Sequence, residues 1–210
     1  LEKAEYLFCV CGDDGVNAEI AFHARVLLPA KLSKPLTCVV HIIDPQLCRL
    51  LKEREFETER HDAFRLEFFN LFDYAARTIL DAFPPFNGAK EKGAFLSHLL
   101  IVGIGNMGES LVVHAVRKWI DLEKRTGKKS RKLTISIIDR IAKEKKELLN
   151  RRYPRLKKVC RLEPLEMNIH SKEFEEGRFL FNSKKESRMN VVYVCLDNDS
   201  FALRVALSLH

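Results

Sequence analysis

Short apolar runs alternate with amphipathic segments along the first part of the chain. Residues 5–11 and the β-branched run 36–43, LTCVVHII, have the length and composition of buried strands. Each run is followed by a polar turn and then by a helical pattern, over residues 16–28 and from Asp44 onward. Asp44 suits the N-cap position and Pro45 the first position of a helix. This alternation predicts parallel βαβ units.

The next segment predicts one more strand and helix before a break. Residues 65–69 predict a short strand, and residues 71–83 predict a helix because their apolar positions recur near helical spacing. The stretch 84–93, PPFNGAKEKG, contains two prolines and two glycines among charged residues. Because this composition is typical of a linker, we place a domain boundary here. The predicted domains are residues 1–86 and 95–210, joined by residues 87–94.

Beyond this linker the same alternation resumes around a glycine-rich turn. The apolar run 95–102, FLSHLLIV, predicts a strand that ends at Gly103, and a helix to about residue 122 follows. A polar, basic loop at 121–132 precedes a strand at 133–138 that ends at Asp139. The remaining predicted elements are a helix at 141–152, a strand at 159–162, a helical turn at 173–180, a strand at 191–196 and a final helix. The whole pattern predicts an α/β fold, a Rossmann-like doubly wound parallel sheet.

One short internal repeat links the two ends of the chain. A shift of 184 positions aligns residues 10–13, VCGD, with residues 194–197, VCLD. Both copies combine a strand, an acidic turn and an amphipathic helix, so the repeat suggests two related, tandem Rossmann units. On this interpretation the chain contains the second half of one unit, with its crossover helix, and the first two thirds of the next.

The glycine-rich turn has the spacing of a dinucleotide-binding fingerprint. The run Gly103-Ile104-Gly105-Asn106-Met107-Gly108 directly follows an apolar strand and opens a helix, which is the context that a G-x-G-x-x-G motif requires. In such a motif the first glycine permits a tight turn, the second admits a pyrophosphate and the third allows close helix–strand packing. The amides and the dipole at the helix start favour a phosphate. The alternative is that these glycines serve packing alone.

An acidic residue at the end of the next strand completes the candidate site. Asp139 stands where a carboxylate accepts hydrogen bonds from a ribose diol, 31 positions beyond Gly108 against about 20 in the usual fingerprint. A carboxylate here disfavours a 2′-phosphate, so NAD or an adenine nucleotide is favoured over NADP. Arg140 either stacks on adenine or offsets that preference. Asp197 follows the last strand at the same sheet edge, where it either contacts the nucleotide or caps a helix; Asp13 has the same two interpretations.

Charge and cysteine content narrow the classes of function. The net charge of +7 is concentrated between residues 117 and 161, which contain 18 Lys or Arg and 5 Asp or Glu. Such a block either attracts nucleic acid, anionic lipid or an acidic partner, or forms a solvated helix face and loop. Because few stacking aromatic residues, Tyr153 among them, are interleaved with the charges, we expect no nucleic-acid partner. The six cysteines form no CxxC pair, which favours buried, reduced thiols over disulfides or a metal site.

Candidate catalytic residues are sparse. Six of the seven histidines are scattered and form no recognisable Ser/His/Asp or His/Lys pattern: His23, His41, His61, His98, His114 and His170. The sequence has no P-loop lysine, nucleophile elbow or metal cluster, so we expect a protein that is not an enzyme. No apolar run reaches the length of a membrane-spanning helix, and the first residues do not resemble a signal peptide. These patterns favour a cytoplasmic location.

Three parts of the sequence resemble one known family. HLLIVGIGNMGESLVVHAV, ISIIDR and VVYVCLDNDSFALRVALSL resemble the RCK/KTN domains (TrkA-N-like), the NAD-binding regulators of potassium conductance in potassium channels and Trk-type uptake systems. FCVCGDDGVNAEIAFHAR and LTCVVHIIDPQLCRLL resemble the later half of such a domain. FRLEFFNLFDYAARTILDAF is similar to its last strand and crossover helix, which mediates dimerisation in that family. The chain departs from the family pattern in the basic segment 121–132 and in the long stretch 163–190.

This resemblance implies a regulatory mechanism. NAD or NADH, or alternatively ATP, ADP or AMP, would bind the glycine turn and Asp139 and change the angle between paired Rossmann units. The implied partners are a second copy of the chain and a membrane ion channel or transporter subunit, at the cytoplasmic face of the membrane. Two other hypotheses stay open: a fragment of an NAD-dependent oxidoreductase, and a ligand-free Rossmann scaffold for oligomerisation.

Overall fold

In the computed structural model the chain is described over residues 3–28, 34–57, 64–86, 98–127, 132–181, 184, 187 and 189–209. Within these ranges the chain forms an α/β structure with two parallel sheets, one of three strands and one of four. It divides into two compact units, Leu1–Tyr74 and Ala75–His210. The predicted α/β class with Rossmann-like parallel sheets is thereby confirmed. The predicted linker, residues 87–94, and the first three residues of the predicted strand 95–102 lie outside the described ranges.

The first unit is built around three strands in sequential order. Its elements are β1 (Tyr6–Cys9), α1 (Asp14–Leu27), β2 (Leu36–His41), α2 (Pro45–Glu57), β3 (Phe64–Phe69) and the start of α3 (Leu71–Ala82). The strands are parallel and ordered β1-β2-β3, with Leu7 opposite Cys38. The apolar residues on one sheet face form a core with the small residues Ala21 and Ala24 of α1. Every strand and helix predicted before residue 83 is present with slightly shorter or shifted ends.

Each helix that begins in the first unit is capped by a side chain. The Asp13 carboxylate accepts a hydrogen bond from Val16 N at 2.8 Å, which satisfies one of the free amides at the start of α1. Asp44 and Asn70 accept hydrogen bonds from the first turns of α2 and α3 in the same way. The predicted N-cap role of Asp44 is confirmed. Such a cap contributes about 1 kcal/mol of helix stability.

The second unit continues the alternation of strand and helix. After the rest of α3 its elements are β4 (His98–Val102), α4 (Asn106–Thr126), β5 (Leu133–Asp139), α5 (Ala142–Arg152), α6 (Leu156–Val159), β6 (Cys160–Glu166), α7 (Lys172–Glu175), a 3-10 turn (Arg178–Leu180), β7 (Val191–Val194) and α8 (Asp199–Ser208). The strands are parallel and ordered β6-β5-β4-β7. This order matches strands 3-2-1-4 of the doubly wound dinucleotide-binding sheet.

Both faces of the second sheet are covered by helices. On one face Leu99 and Ile101 of β4 belong to a core with Trp119 of α4. On the other face Leu100 of β4 belongs to a core with Val205 of α8. The continuous apolar character of β4 reflects this burial on two sides. Each such aliphatic side chain contributes about 1.5–3 kcal/mol on burial.

Helix α4 is longer than the sequence predicts. The predicted loop at 121–132 is wrong in its first half, because the helix continues to Thr126. The run 121–126, DLEKRT, contains good helix formers, and its cations Lys124 and Arg125 lie where the helix dipole favours positive charge. Gly127 then ends the helix with φ 64°, and its N–H donates to Glu123 O at 3.0 Å. The many charged residues made this segment resemble a loop, although their side chains favour a helix.

Strand β6 also differs from its prediction. It spans Cys160–Glu166 rather than 159–162, and residue 159 belongs to the short helix α6. Because β6 is an edge strand, Pro164 is tolerated within it although proline has no N–H to donate. Glu163 and Glu166 interrupt the apolar pattern, which is why sequence periodicity ended the strand too early.

The cysteines of both units are free thiols. Cys9, Cys38, Cys48 and Cys160 are buried, while Cys195 is half-buried and Cys11 is exposed. Burial raises the pKa of the Cys160 thiol to about 12. The predicted burial of the thiols is therefore confirmed at four of the six positions, while Cys195 is only partly buried and Cys11 is exposed.

Candidate functional site

The glycine-rich turn lies at the carboxyl edge of the second sheet, between β4 and α4. Gly103 N donates to Ile138 O of β5 at 2.8 Å, and Cys195 N donates to Val102 O at 2.7 Å. The turn therefore sits between the ends of the two strands that flank β4. The strand order reverses at this point, between β4 and β7, and such a switch point is where open α/β sheets bind their ligands.

Two of the three motif glycines are required by the fold itself. Gly103 has φ +89°, and a Cβ at this position would lie 2.4 Å from Cys195 O. A Cβ on Gly108 would lie 2.2 Å from Gly103 O, because the start of α4 packs directly on the turn. Both distances are far below van der Waals contact, so neither position admits a side chain. Packing alone explains these two glycines.

Gly105 has no such explanation within the described residues. Its backbone is extended, with φ −75° and ψ −163°, a conformation that any residue adopts. A Cβ on Gly105 would meet no described atom within 4 Å. The residue is exposed, so the absence of a side chain keeps space open in front of the helix rather than inside the protein. A ligand that approaches the backbone is a physical reason for glycine at this position.

The first amides of α4 face this open space. Gly105 is the N-cap residue and provides no side-chain acceptor for them. Asn106 is exposed and Met107 is half-buried at the first two helical positions. The positive end of the helix dipole and its free amides are thus presented at the switch point, an arrangement that binds phosphate.

Asp139 is joined to the glycine turn by a hydrogen bond. Its Oδ2 accepts from Ile104 N at 3.1 Å, and its Oδ1 accepts from Ile141 N at 3.1 Å. The carboxylate is half-buried and each oxygen retains a lone pair for a further donor. The structure therefore brings together the glycine turn and Asp139, while Arg140 is exposed beside them. A pair of ribose hydroxyls is a chemically suitable donor for the remaining acceptor sites.

The two acidic residues of the internal repeat have different roles. Asp13 caps α1 through Val16 N. The final helix is capped by Asn198, whose Oδ1 accepts from Phe201 N at 2.8 Å, so the helix-capping interpretation of Asp197 is wrong. Asp197 is exposed, three residues after the end of β7. It stays a candidate contact at the carboxyl edge.

Sequence inspection missed the group that anchors the start of α4. Glu109 is 9% exposed, and Arg152 Nη1 donates to both of its carboxylate oxygens at 3.0 Å. The Tyr153 hydroxyl donates to Glu109 Oε1 at 3.2 Å. Burial, followed by the Glu109 charge, raises the pKa of Tyr153 to about 12. Glu109 falls on the apolar face of α4. A charged residue on an apolar face is the feature of the sequence that indicates such a buried ion pair.

The described histidines include one contact with a serine and a carboxylate. His98 Nε2 lies 2.8 Å from Ser136 Oγ and 3.9 Å from Glu163 Oε2. Serine and acid therefore meet the same ring nitrogen, whereas a catalytic triad places them on opposite nitrogens. Ser136 is also only 1% exposed. His114 is buried in α4, and His61 lies outside the described ranges.

Three further findings bear on the class of protein. Within the described ranges, no cluster of three or more His, Cys, Asp or Glu side chains is arranged to hold a metal ion. The helices described here include none with both the length and the apolar character needed to cross a bilayer. Comparison of the chain with models of known families, with curated proteins and with solved structures gives no significant match.

Proposed function

We propose that the chain binds a nucleotide, NAD or NADH or alternatively ATP, ADP or AMP, at the turn 103–108. The observation that carries this proposal is Gly105. The fold requires glycine at 103 and 108, but the bare backbone at 105 borders only open space and an uncapped helix start. A diphosphate that rests on the helix end gives this position a physical reason.

Each candidate residue then has a distinct task. The backbone at Ile104, Asn106 and Met107 lines the approach to the helix start, where the amides donate to phosphate oxygens. Asp139 accepts from the ribose diol while it continues to hold the Ile104 amide. Arg140 is exposed next to it and stacks on the adenine ring. Asp197 approaches from the end of β7 and contacts the far side of the ligand.

The biological role follows from the resemblance to RCK/KTN domains. We propose a regulatory module, not an enzyme, that acts on a potassium channel or transporter subunit at the cytoplasmic face of a membrane. Nucleotide binding to paired copies of the chain favours one arrangement of the Rossmann units over another. Only a difference in affinity between the two arrangements provides such coupling.

Isothermal titration calorimetry tests the binding site. We expect at least one of NAD, NADH, ATP, ADP and AMP to bind, and we expect Gly105→Val to abolish that binding because its side chain fills the pyrophosphate position. Gly12→Val is the matched control, since a Cβ on Gly12 also meets no described atom within 4 Å. It lies in the turn before α1, which Asp13 caps, so nucleotide affinity should be unchanged.

Three outcomes would overturn parts of this proposal. Failure of all five nucleotides to bind would support the ligand-free scaffold. Loss of NADH absorbance at 340 nm upon addition of a small carbonyl substrate would support the oxidoreductase. Unchanged affinity in Gly105→Val would show that the ligand binds elsewhere.

A further inference from the structure

Two stretches of the second unit contain basic residues and no acidic ones. Residues 124–138 and residues 148–162 each contain six Lys or Arg and no Asp or Glu. The first includes the end of α4 and most of β5, and the second includes the end of α5, all of α6 and the start of β6. Along the sequence these charges fall in two separate segments.

The fold brings the two stretches together. Leu133, the first residue of β5, pairs with Cys160, the first residue of β6. Lys132 Nζ donates to Lys157 O at 3.3 Å, which is a direct contact between the two stretches. Both meet at the amino ends of the strands, the sheet edge opposite the glycine turn. The cations of both stretches that the structure describes are therefore concentrated near one edge.

Five exposed cations form what we name the basic surface: Lys132, Arg151, Arg155, Lys157 and Lys158. Lys124 and Arg125 are exposed in the last turn of α4, which returns toward the same sheet edge. Of the acidic side chains beside these elements, Glu163 is paired with Arg161, and the exposed Asp121 and Glu147 are outnumbered by the seven cations. The surface thus retains a high local positive potential.

The chemistry of this surface favours a phospholipid headgroup layer. Among the described residues around it, Tyr153 is half-buried with its hydroxyl on Glu109, and Trp119 is 1% exposed, so neither ring is free to stack on bases. Three of the cations, Lys124, Arg125 and Arg151, lie in the last turns of α4 and α5, where the helix presents carbonyl groups rather than free amides. Dispersed lysine and arginine side chains suit many mobile anions at once.

We propose that the basic surface docks this protein on anionic phospholipid bilayers. The contact is peripheral and electrostatic, since each Lys or Arg contributes separately through its attraction to the headgroup layer. It lies at the edge opposite the proposed nucleotide site, so both are accessible at once. The inference does not depend on nucleotide binding, and it is tested without nucleotide.

Co-sedimentation of the full chain with vesicles tests the proposal. We expect binding to vesicles of 70% phosphatidylcholine and 30% phosphatidylserine (roughly the anionic content of a cytoplasmic leaflet) and no binding to phosphatidylcholine alone. The triple variant Arg155→Glu, Lys157→Glu, Lys158→Glu should bind about a hundredfold or more weakly, on the basis of the contribution of each basic residue near an anionic surface. Binding should also fall steeply as salt is raised to about 0.5 M.

A matched variant separates local charge from net charge. Lys172→Glu, Arg178→Glu and Arg204→Glu reverse the same number of exposed cations in other elements of the second unit (α7, the 3-10 turn and α8), and vesicle binding should stay within about threefold. Equal losses in both triple variants would overturn the proposal. So would tighter binding of the chain to a 20-base-pair DNA duplex (a length on the scale of known recognition sites) than to anionic vesicles, since the partner would then be a nucleic acid.

Discussion

The first strand–helix turn of each unit solves the same structural problem in a different way. After β1, side chains close the turn: Asp13 caps α1, and Asn17, which is fully buried, bonds both backbone groups of Cys11. After β4 the turn is closed by backbone packing of Gly103 against Gly108, and no side chain caps α4. One helix start is therefore occupied by the protein, and the other is open.

In each unit an aspartate joins the turn after the first strand to the end of the next strand, but the aspartate belongs to a different element in each unit. In the first unit, Asp14 belongs to the helix and accepts from Ile43 N at 2.6 Å and Asp44 N at 3.0 Å, in the loop after the next strand. In the second unit, Asp139 belongs to the end of the next strand and accepts from Ile104 N in the turn before the helix. The same bridge is made from opposite sides. A carboxylate on the strand leaves the helix start free for another anion.

This difference shows what distinguishes a structural turn from a candidate ligand site. Glycine content alone does not, because Gly12 also lies in the first turn and Gly15 in the first turn of helix α1. The distinction lies in whether the protein's own side chains satisfy the helix amides. We therefore expect substitutions of capping or bridging side chains in the first turn to change stability alone, and substitutions of the open helix start in the second turn to change ligand affinity.

The largest expected effect is on the closed packing of the second turn. Gly103→Ala combines a left-handed φ with a Cβ 2.4 Å from Cys195 O, so we expect a loss of about 3–5 kcal/mol in the free energy of unfolding. Trp119 is the single tryptophan and is buried in the second unit. Its fluorescence during urea unfolding therefore measures the stability of that unit.

Two alanine variants isolate the cause of this loss. Gly127 also has a positive φ, of 64°, but a Cβ there meets no described atom within 4 Å, so Gly127→Ala should cost only about 1 kcal/mol. Gly12→Ala has neither feature and should leave tryptophan-monitored unfolding unchanged. A cost for Gly103→Ala no greater than that of Gly127→Ala would contradict the close packing of the turn against β7.

The intermediate effect concerns the two bridging carboxylates. Asp139→Asn keeps the size of the side chain but removes its charge, so we expect nucleotide affinity to fall by about 10- to 100-fold, on the scale of hydrogen bonds to charged groups. Asp14→Asn should instead lower the stability of the first unit by about 1.5–3 kcal/mol and leave affinity unchanged. Calorimetric titration and urea unfolding followed by far-ultraviolet circular dichroism measure the two quantities. Equal effects of both variants on affinity would mean that the two turns are not functionally distinct.

Much of this arrangement is visible in the sequence because its signals are local. The glycine spacing, the apolar run before it and the aspartate that ends β5 are each read from a short stretch of sequence, and the helix cap at Asp44 follows directly from residue type. Periodicity also predicts most of the strands, since parallel strands buried on both faces are continuously apolar. These features need no knowledge of the contacts between elements.

The remaining features depend on contacts between distant residues. The sequence does not reveal that Asn17 bonds the carbonyl of His41, or that Asp14 holds the loop after β2, because each contact joins separate elements. The predicted end of β6 is too early for the same reason. The partners of Glu163, which are Arg161 and His98, are brought beside it only when the sheet forms. Only the folded turn shows that Gly105 borders open space while the other two motif glycines do not.

The smallest expected effect on stability comes from an exchange of helix caps between the two turns. Gly105→Asp gives α4 a carboxylate at its N-cap, so the second unit should gain about 0.3–1 kcal/mol. Asp13→Ala removes the cap of α1 and should cost the first unit about 1 kcal/mol. Nucleotide affinity should nevertheless be lost in Gly105→Asp and kept in Asp13→Ala, because α4, unlike α1, has no side-chain cap in place of an anion. Urea unfolding and calorimetric titration of both variants measure these changes. A stabilised Gly105→Asp variant that still bound nucleotide at full affinity would show that the open helix start is not the phosphate site.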